Sequence, residues 1–108
     1  MRIIARRTLR EFVHSRAGYR DQGALKAAID AWFDEVCRAK WKSTADVKRL
    51  YASASVVTAE RIVFNIRGNN YRLVTAVDFD KEIVWIKWIG THGEYDKIDV
   101  KEVKYERT

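Results

Sequence analysis

Apolar residues in the first half of the chain recur with the period of a helix. Across residues 22–40, apolar side chains return every three or four positions, which predicts a helix with one buried face. A shorter helix is expected to begin at Leu9, because Thr8-Leu9-Arg10-Glu11 has the spacing of a capping box. Ser43 or Thr44 is expected to cap a third helix. The apolar stripe of the long helix consists of Leu25, Ile29, Trp32, Phe33 and Val36.

After residue 60 the pattern changes to the two-residue period of strands. Ile62–Ile66 alternates in this way, and Tyr71–Val77 is expected to form the returning strand. Between them lies Gly68-Asn69-Asn70, whose residues tolerate a positive φ, so a tight hairpin is expected there. Glu82–Ile89 is apolar on both faces apart from Lys87, which is typical of a central or covered strand.

Helices followed by an antiparallel meander indicate an α+β fold, with the helices packed on one face of a mainly antiparallel sheet. The expected order is β-α-α-(α)-β-β-β. It begins with a short strand at Arg2–Ala5 and leaves room for a last strand or helix in Ile98–Tyr105. A length of 108 residues fits a single domain, residues 1–108.

Composition narrows the function classes. The longest apolar runs, such as Ile83–Ile86, are too short to span a bilayer, and Met1–Arg7 lacks the apolar core of a secretory signal. The single cysteine, Cys37, suits a reducing compartment and is expected to be a small buried residue. We therefore expect a cytoplasmic protein without a membrane partner. Two widely spaced histidines and one cysteine predict no metal site, and no cofactor is expected.

Positive charge is concentrated in the first half of the chain. The net charge is +6, which favours polyanionic partners. Residues 1–54 carry 12 Lys and Arg against 6 Asp and Glu, whereas residues 55–108 carry 9 of each. Residues 38–49, here called the basic segment, form either a solvated helix end and loop or, with Trp41 and Tyr51, a face that follows an RNA backbone. The basic segment contains Arg38, Lys40, Lys42, Lys48 and Arg49.

Titratable side chains cluster directly after the most apolar strand. His92 lies between two glycines, and its ordinary pKa suits proton transfer at cellular pH. Tyr95 and Asp96 follow three and four positions later, so a helical turn would bring all three to one side. His92 either closes the loop or moves protons. Tyr95 either packs or acts on RNA, and Asp96 either caps the next element or orients the imidazole.

Arginines flank the hairpin turn. Arg67 and Arg72 bracket it and Arg61 precedes it. Guanidinium groups match phosphate oxygens and stabilise charge that builds on phosphorus, so Arg67 and Arg72 are candidate catalytic cations. The alternative is that they only increase solubility. Arg61, Asn69 and Lys87 are further candidates for RNA contact, although an edge lysine that extends into water would also explain Lys87.

With these residues in place, the chain resembles the HigB toxins, within the wider RelE-like group. The specific matches are Phe64-Asn65-Ile66-Arg67-Gly68-Asn69 and Thr91-His92-Gly93-Glu94-Tyr95-Asp96. Supporting matches are Met1–Ala5 with Thr8-Leu9, Trp41–Lys48 and Tyr71–Val74. The resemblance implies helices against a curved, mainly antiparallel sheet.

The resemblance also implies an activity and partners. Toxins of this group cleave mRNA, typically on the translating ribosome, and pair with a helix-turn-helix, HigA-like antitoxin. The complex, through the antitoxin, would then bind operator DNA. Catalytic roles would be carried by His92, Tyr95 and Asp96, together with Arg67 and Arg72. The alternatives from the residues alone are a non-catalytic RNA- or ribosome-binding module and an inactive protein whose basic surface meets an acidic partner.

Overall fold

The structure is a computed structural model in which residues 1–101 are described. These residues form five strands and four helices. In chain order they are β1 (Arg2–Ile4), α1 (Arg6–Ser15), α2 (Gln22–Arg38), α3 (Thr44–Leu50), β2 (Ser55–Val56), β3 (Arg61–Ile66), β4 (Tyr71–Asp78), β5 (Ile83–Thr91) and α4 (His92–Tyr95). The expected α+β class and the long helix at residue 22 are confirmed.

The five strands form one mixed sheet in the order β1-β5-β4-β3-β2. The β3–β4 hairpin and the β4–β5 pair are antiparallel, as expected of a meander. β1 instead pairs parallel with β5, with Ile3 opposite Val84. β5 therefore lies inside the sheet, which confirms the interpretation of its continuous apolar run. The two-residue strand β2, which pairs with Val63 and Ile62 on β3, is absent from the expected order.

The main hydrophobic core lies between one face of the sheet and the helices α1, α2 and α3. The sheet contributes every second residue of its strands to this core, because successive side chains of a strand point to opposite faces. The helices cover these side chains with Leu9, the α2 stripe and Val47. The sheet residues of the core are Ile62, Phe64, Ile66, Tyr71, Leu73, Val77, Val84, Ile86 and Ile89.

A β-bulge changes which residues of β5 reach the opposite side of the sheet, here called the outer face. Thr75 pairs with Ile86 and Val74 pairs with Trp88, so the register skips Lys87. Ile86 and Ile89 both belong to the core although they are three positions apart. Bulges re-aim side chains in this way. Beyond the bulge, Trp88 consequently faces the outer side with Arg72.

Three expectations about single residues were wrong. α1 begins at Arg6 with Ala5 as its N-cap, and Thr8 lies inside the helix with its side chain buried. The N–H of Thr8 donates to the carbonyl of Ala5 at 3.2 Å, which places Thr8 in the first turn of the helix and not at its cap. Trp41 does not face RNA, since it is 4% exposed and stacks on Phe64 at 6.1 Å. Cys37 is exposed rather than buried.

The hairpin turn lies where the sequence predicts it, but its left-handed residues differ. Arg67 and Gly68 have φ of 53° and 63°, whereas the sequence suggested Gly68-Asn69-Asn70. Residues 98–101 form bends and turns, and the rest of the segment expected to be a strand or helix, Ile98–Tyr105, lies outside the described residues. Within residues 1–101, no helix is long and apolar enough to cross a bilayer.

Candidate active site

The candidate site lies at the end of β5, where a capping box folds the chain into α4. The Thr91 hydroxyl accepts from Glu94 N at 3.1 Å, and the Glu94 carboxylate accepts from Thr91 N at 2.8 Å. These two bonds satisfy backbone donors at the start of the turn. The His92 N–H also donates to the Asn70 carbonyl at 3.1 Å, which ties the turn to the β3–β4 hairpin.

Arg72 is the centre of the site. One terminal nitrogen of its guanidinium lies 3.0 Å from Nδ1 of His92 and 3.0 Å from Oδ1 of Asn69. Its Cζ lies 5.3 Å from the centre of the Tyr95 ring, a cation–π distance. Arg72 therefore joins residues from β4, the hairpin turn and α4. We call Arg72, His92, Tyr95 and Asp96 the site cluster.

The contact with Arg72 determines how His92 can use its two nitrogens. A guanidinium only donates, so Nδ1 of His92 accepts and the neutral ring carries its proton on Nε2. Nε2 lies 3.9 Å from Oδ2 of Asp96, which is an ion-pair distance for a protonated ring but too long for a hydrogen bond. The imidazole is 44% exposed, so a bound molecule can reach it from solvent. The helical turn expected for His92, Tyr95 and Asp96 is present.

Trp88 completes the aromatic part of the site. Its ring centre is 6.3 Å from that of Tyr95, with the planes tilted by 54°. The indole crosses directly over Gly90, where an added Cβ would be 2.4 Å from the Trp88 ring. Trp88 and Tyr95 are both half-buried. They thus form a partly open aromatic surface beside the guanidinium, of the kind on which bases stack.

Asn65 is the register partner of Arg72 across the hairpin. Its amide nitrogen donates to the Ser53 carbonyl at 3.2 Å. Its Oδ1 and Nε of Arg72 are both buried and have no hydrogen-bond partner in the described part of the chain. One is an acceptor and the other a donor, and both face the candidate site with unused hydrogen-bonding capacity. Asn65 was not among the expected site residues.

A buried hydrogen bond lies behind the site, on the face of the sheet that the helices cover. Tyr71, next to Arg72, is 1% exposed and its hydroxyl donates to the Asp21 carboxylate. Burial, followed by that hydrogen bond, raises the pKa of Tyr71, and the Arg16 cation opposes the change. The loop between α1 and α2 is therefore fixed to the strand that carries Arg72.

The other predicted cations are not gathered at the site cluster. Arg67 is exposed on the turn, and its side chain makes no hydrogen bond or ion pair with any residue from 1 to 101. The guanidinium of Arg61 donates to the Val100 carbonyl at 3.4 Å. Lys87 is half-buried at the bulge.

The basic segment holds its charges in local contacts. Lys42 pairs with Glu82 at 3.3 Å and Arg49 with Asp46 at 3.0 Å. Nζ of Lys48 donates to the carbonyls of Ala52 and Ala54 at 2.6 and 2.7 Å. Arg38 and Lys40 are exposed. The site cluster and the basic segment are thus separate features.

Two features that build the site had a recognisable sequence pattern. Thr91-His92-Gly93-Glu94 repeats the capping-box spacing that was assigned to Thr8–Glu11. Lys87 within an apolar strand marks the bulge that turns Trp88 outward. Nothing in the local sequence distinguishes Asn65. Among residues 1–101, no three His, Cys, Asp or Glu side chains are grouped as metal ligands.

Comparison with known proteins identifies the family. No match was found among curated proteins. Residues 25–98 match the HigB toxin family, described as the RelE-like toxic component of a toxin–antitoxin system. The match covers well over half of the chain and contains the site cluster, β3, β4 and β5. The four helices against a five-stranded mixed sheet agree with a RelE-like fold. The chain belongs to the HigB toxin family and pairs with an antitoxin.

Proposed function

We propose that this toxin is an endoribonuclease that cleaves mRNA and so inhibits translation in the cytoplasm. The observation that carries the proposal is the contact of Arg72 with both His92 and Tyr95, at 3.0 and 5.3 Å. It puts a permanent cation, a proton-transfer group and a phenol at one partly exposed point. Phosphodiester cleavage is accelerated by a cation that stabilises the developing charge and by side chains that transfer protons.

The proposed reaction uses the RNA's own 2′-hydroxyl and no metal ion. The 2′-oxygen bonds to the adjacent phosphorus while the bond from phosphorus to the 5′-oxygen breaks. The products carry a 2′,3′-cyclic phosphate and a 5′-hydroxyl. One proton leaves the 2′-hydroxyl and one is given to the 5′-oxygen. His92 and Tyr95 divide these two transfers between them.

Arg72 is assigned to the phosphate. A phosphate oxygen is a stronger acceptor than a neutral imidazole, so substrate binding would draw the guanidinium from Nδ1 of His92. That nitrogen would then be free to take a proton. Asp96, 3.9 Å from Nε2, would stabilise the resulting imidazolium. Arg67 on the turn is proposed to meet a neighbouring phosphate.

The remaining predicted contacts are proposed to hold the RNA. Trp88 and Tyr95 would stack on bases. The cations Arg61 and Lys87 with Asn69 would contact the strand, and the basic segment would contact ribosomal RNA. The partner is proposed to be a helix-turn-helix, HigA-like antitoxin, through which the complex would bind operator DNA.

The test is a double variant, His92→Ala with Tyr95→Ala, shown to be folded by circular dichroism. We expect it to neither arrest growth nor cleave transcripts, whereas the unchanged toxin creates discrete new 5′ ends carrying hydroxyl groups. A folded double variant that still cleaves would contradict the assignment. If the unchanged toxin associates with ribosomes but creates no new ends, it is a binding module and not a nuclease. Naked mRNA and translating ribosomes are compared in parallel.

A further inference from the structure

An apolar groove with a basic rim lies between α1 and α2, away from the site cluster. Its volume is about 410 Å³. Leu9 and Ile29 are buried at its floor, and Val13 and Phe33 are half-buried along it. Basic side chains lie along the rim. Cζ of Arg6, for example, lies 4.4 Å from the centre of the Phe33 ring. The rim residues are Arg6, Arg10, His14, Lys26 and Asp30.

The positive charge of the rim is largely uncompensated. The one acidic rim residue, Asp30, already pairs with Lys26 at 2.6 Å. Arg6 and Arg10 are exposed and have no acidic partner within residues 1–101. An occupant that carried carboxylates would therefore find two available guanidinium groups beside an apolar floor.

We propose that this groove binds an acidic amphipathic helix of the antitoxin. The apolar floor favours protein side chains over an RNA backbone, whose contacts are mainly to cations and polar groups. A second copy of this chain is disfavoured by its own net charge of +6. The occupant would place apolar side chains at helical spacing on Val13 and Phe33. Its carboxylates would pair with Arg6 and Arg10.

The groove is on the helical layer, whereas the site cluster extends over the outer face of the sheet. The part of the antitoxin that is bound in the groove would therefore not cover Arg72 and His92. The proposal rests on the family assignment and does not depend on the reaction described above.

The experiment measures the affinity of the purified toxin for the antitoxin encoded beside its gene, by titration calorimetry. The variant is Arg6→Glu with Arg10→Glu. The matched control is Arg7→Glu, because Arg7 is also on α1 and is exposed but does not line the groove. We expect the double variant to lose at least about tenfold in affinity, and the control to change less than about threefold. High salt should reduce the difference.

Equal affinities of the double variant and the unchanged toxin would overturn the proposal. A second measurement places a photo-cross-linking amino acid at position 33. Attachment to an acidic helical segment of the antitoxin supports the proposal, and attachment to another copy of the toxin or to ribosomal RNA overturns it. Both readouts are of binding, so they stand even if the toxin proves not to be a nuclease. Growth arrest by the double variant, measured without antitoxin, is expected to be unchanged.

Discussion

The site cluster and the basic segment both offer positive charge to a phosphate, but they hold it differently. In the site cluster one guanidinium contacts a histidine and faces a tyrosine ring, and the arginine is half-buried. In the basic segment, Lys42 and Arg49 pair with carboxylates and Lys48 with backbone carbonyls. A positioned cation can stabilise a transition state, whereas a mobile or already paired cation adds little more than long-range attraction. The number of charges therefore does not locate the site, and their contacts do.

The largest expected effect comes from removing Arg72. Arg72→Ala should reduce RNA cleavage by about 10²–10³-fold, the usual loss when one transition-state donor is removed. Arg72→Lys should recover little, because an ammonium has neither a planar group to face the Tyr95 ring nor a two-pronged contact with phosphate. The measurement is cleavage of a synthetic mRNA on ribosomes.

The matched control for that prediction is Arg67→Ala on the other side of the turn. Arg67 is exposed and has no side-chain hydrogen bond within residues 1–101, so its loss should cost less than about tenfold. If Arg67→Ala were as damaging as Arg72→Ala, the distinction between positioned and mobile cations would fail for this hairpin.

A smaller effect is expected from Gly90→Ala. Its Cβ would lie 2.4 Å from the Trp88 ring and 3.1 Å from Oε1 of Glu94, so the indole must leave its present position beside Tyr95. We expect about tenfold lower cleavage, because small displacements of positioning groups are costly. Overpacking should also cost about 1–3 kcal/mol of stability.

Gly93→Ala is the control for Gly90→Ala. An added Cβ at position 93 meets nothing within 4 Å, and alanine favours a helical turn. We expect full cleavage and equal or higher thermal stability. If the two alanine variants cleave equally well, Trp88 has no part in holding the site cluster.

Substitution of Tyr71 should lower the stability of the toxin but have little effect on its cleavage activity. Tyr71→Phe removes the hydrogen bond to Asp21 on the helical face, with an expected cost of about 1.5–3 kcal/mol. Cleavage by the folded variant should stay within about threefold of the unchanged toxin, since Tyr71 does not reach the outer face. Thermal unfolding and cleavage are measured on the same preparation, and a large loss of cleavage at full folding would contradict the separation.

The same substitution has a pH signature. Burial raises the pKa of Tyr71 above its ordinary value of 10.0, so the folded state favours the neutral phenol. Its stabilising contribution is complete below pH 10 and is lost as pH rises through the folded pKa. The stability gap between the unchanged toxin and Tyr71→Phe should therefore narrow above pH 10. A gap that widens there would contradict the assigned direction.

Periodicity was enough to predict most of the fold. The stripe from Leu25 to Val36 and the alternation of β3 report the local environment of each residue, so the long helix and the hairpin were predictable. The parallel pairing of β1 with β5 was not, because it joins residues about 80 positions apart and leaves no local pattern. The same limitation applies to the position of Asn65 opposite Arg72, which depends on the register of the hairpin.

The grouping of candidate side chains was predictable where they lie in one segment. The spacing of His92, Tyr95 and Asp96 was enough to predict that they share one helical turn, whereas the outward direction of Trp88 and the burial of Trp41 could not be read from spacing. One bulge reverses the phase of β5 and turns Trp88 to the outer face, where it is half-buried. Trp41 instead fills the core against Phe64 and Tyr51. A sequence period assumes a regular element, so it fails for residues that follow an irregularity.

The smallest effects on cleavage are expected from substitutions in the basic segment. These substitutions distinguish exposed cations without an ion pair from a cation that holds the local backbone. Arg38 and Lys40 are exposed and have no side-chain ion pair within residues 1–101. If they bind RNA, replacing both by alanine should leave the rate of cleavage unchanged at saturation. Ribosome affinity should fall a few-fold, and its salt slope should decrease by about one unit for each phosphate that is no longer neutralised. Lys48→Ala should change the slope less than the double variant does and should lower stability by about 1 kcal/mol, because its ammonium already holds two backbone carbonyls. An unchanged slope in the double variant would assign the segment to solubility alone.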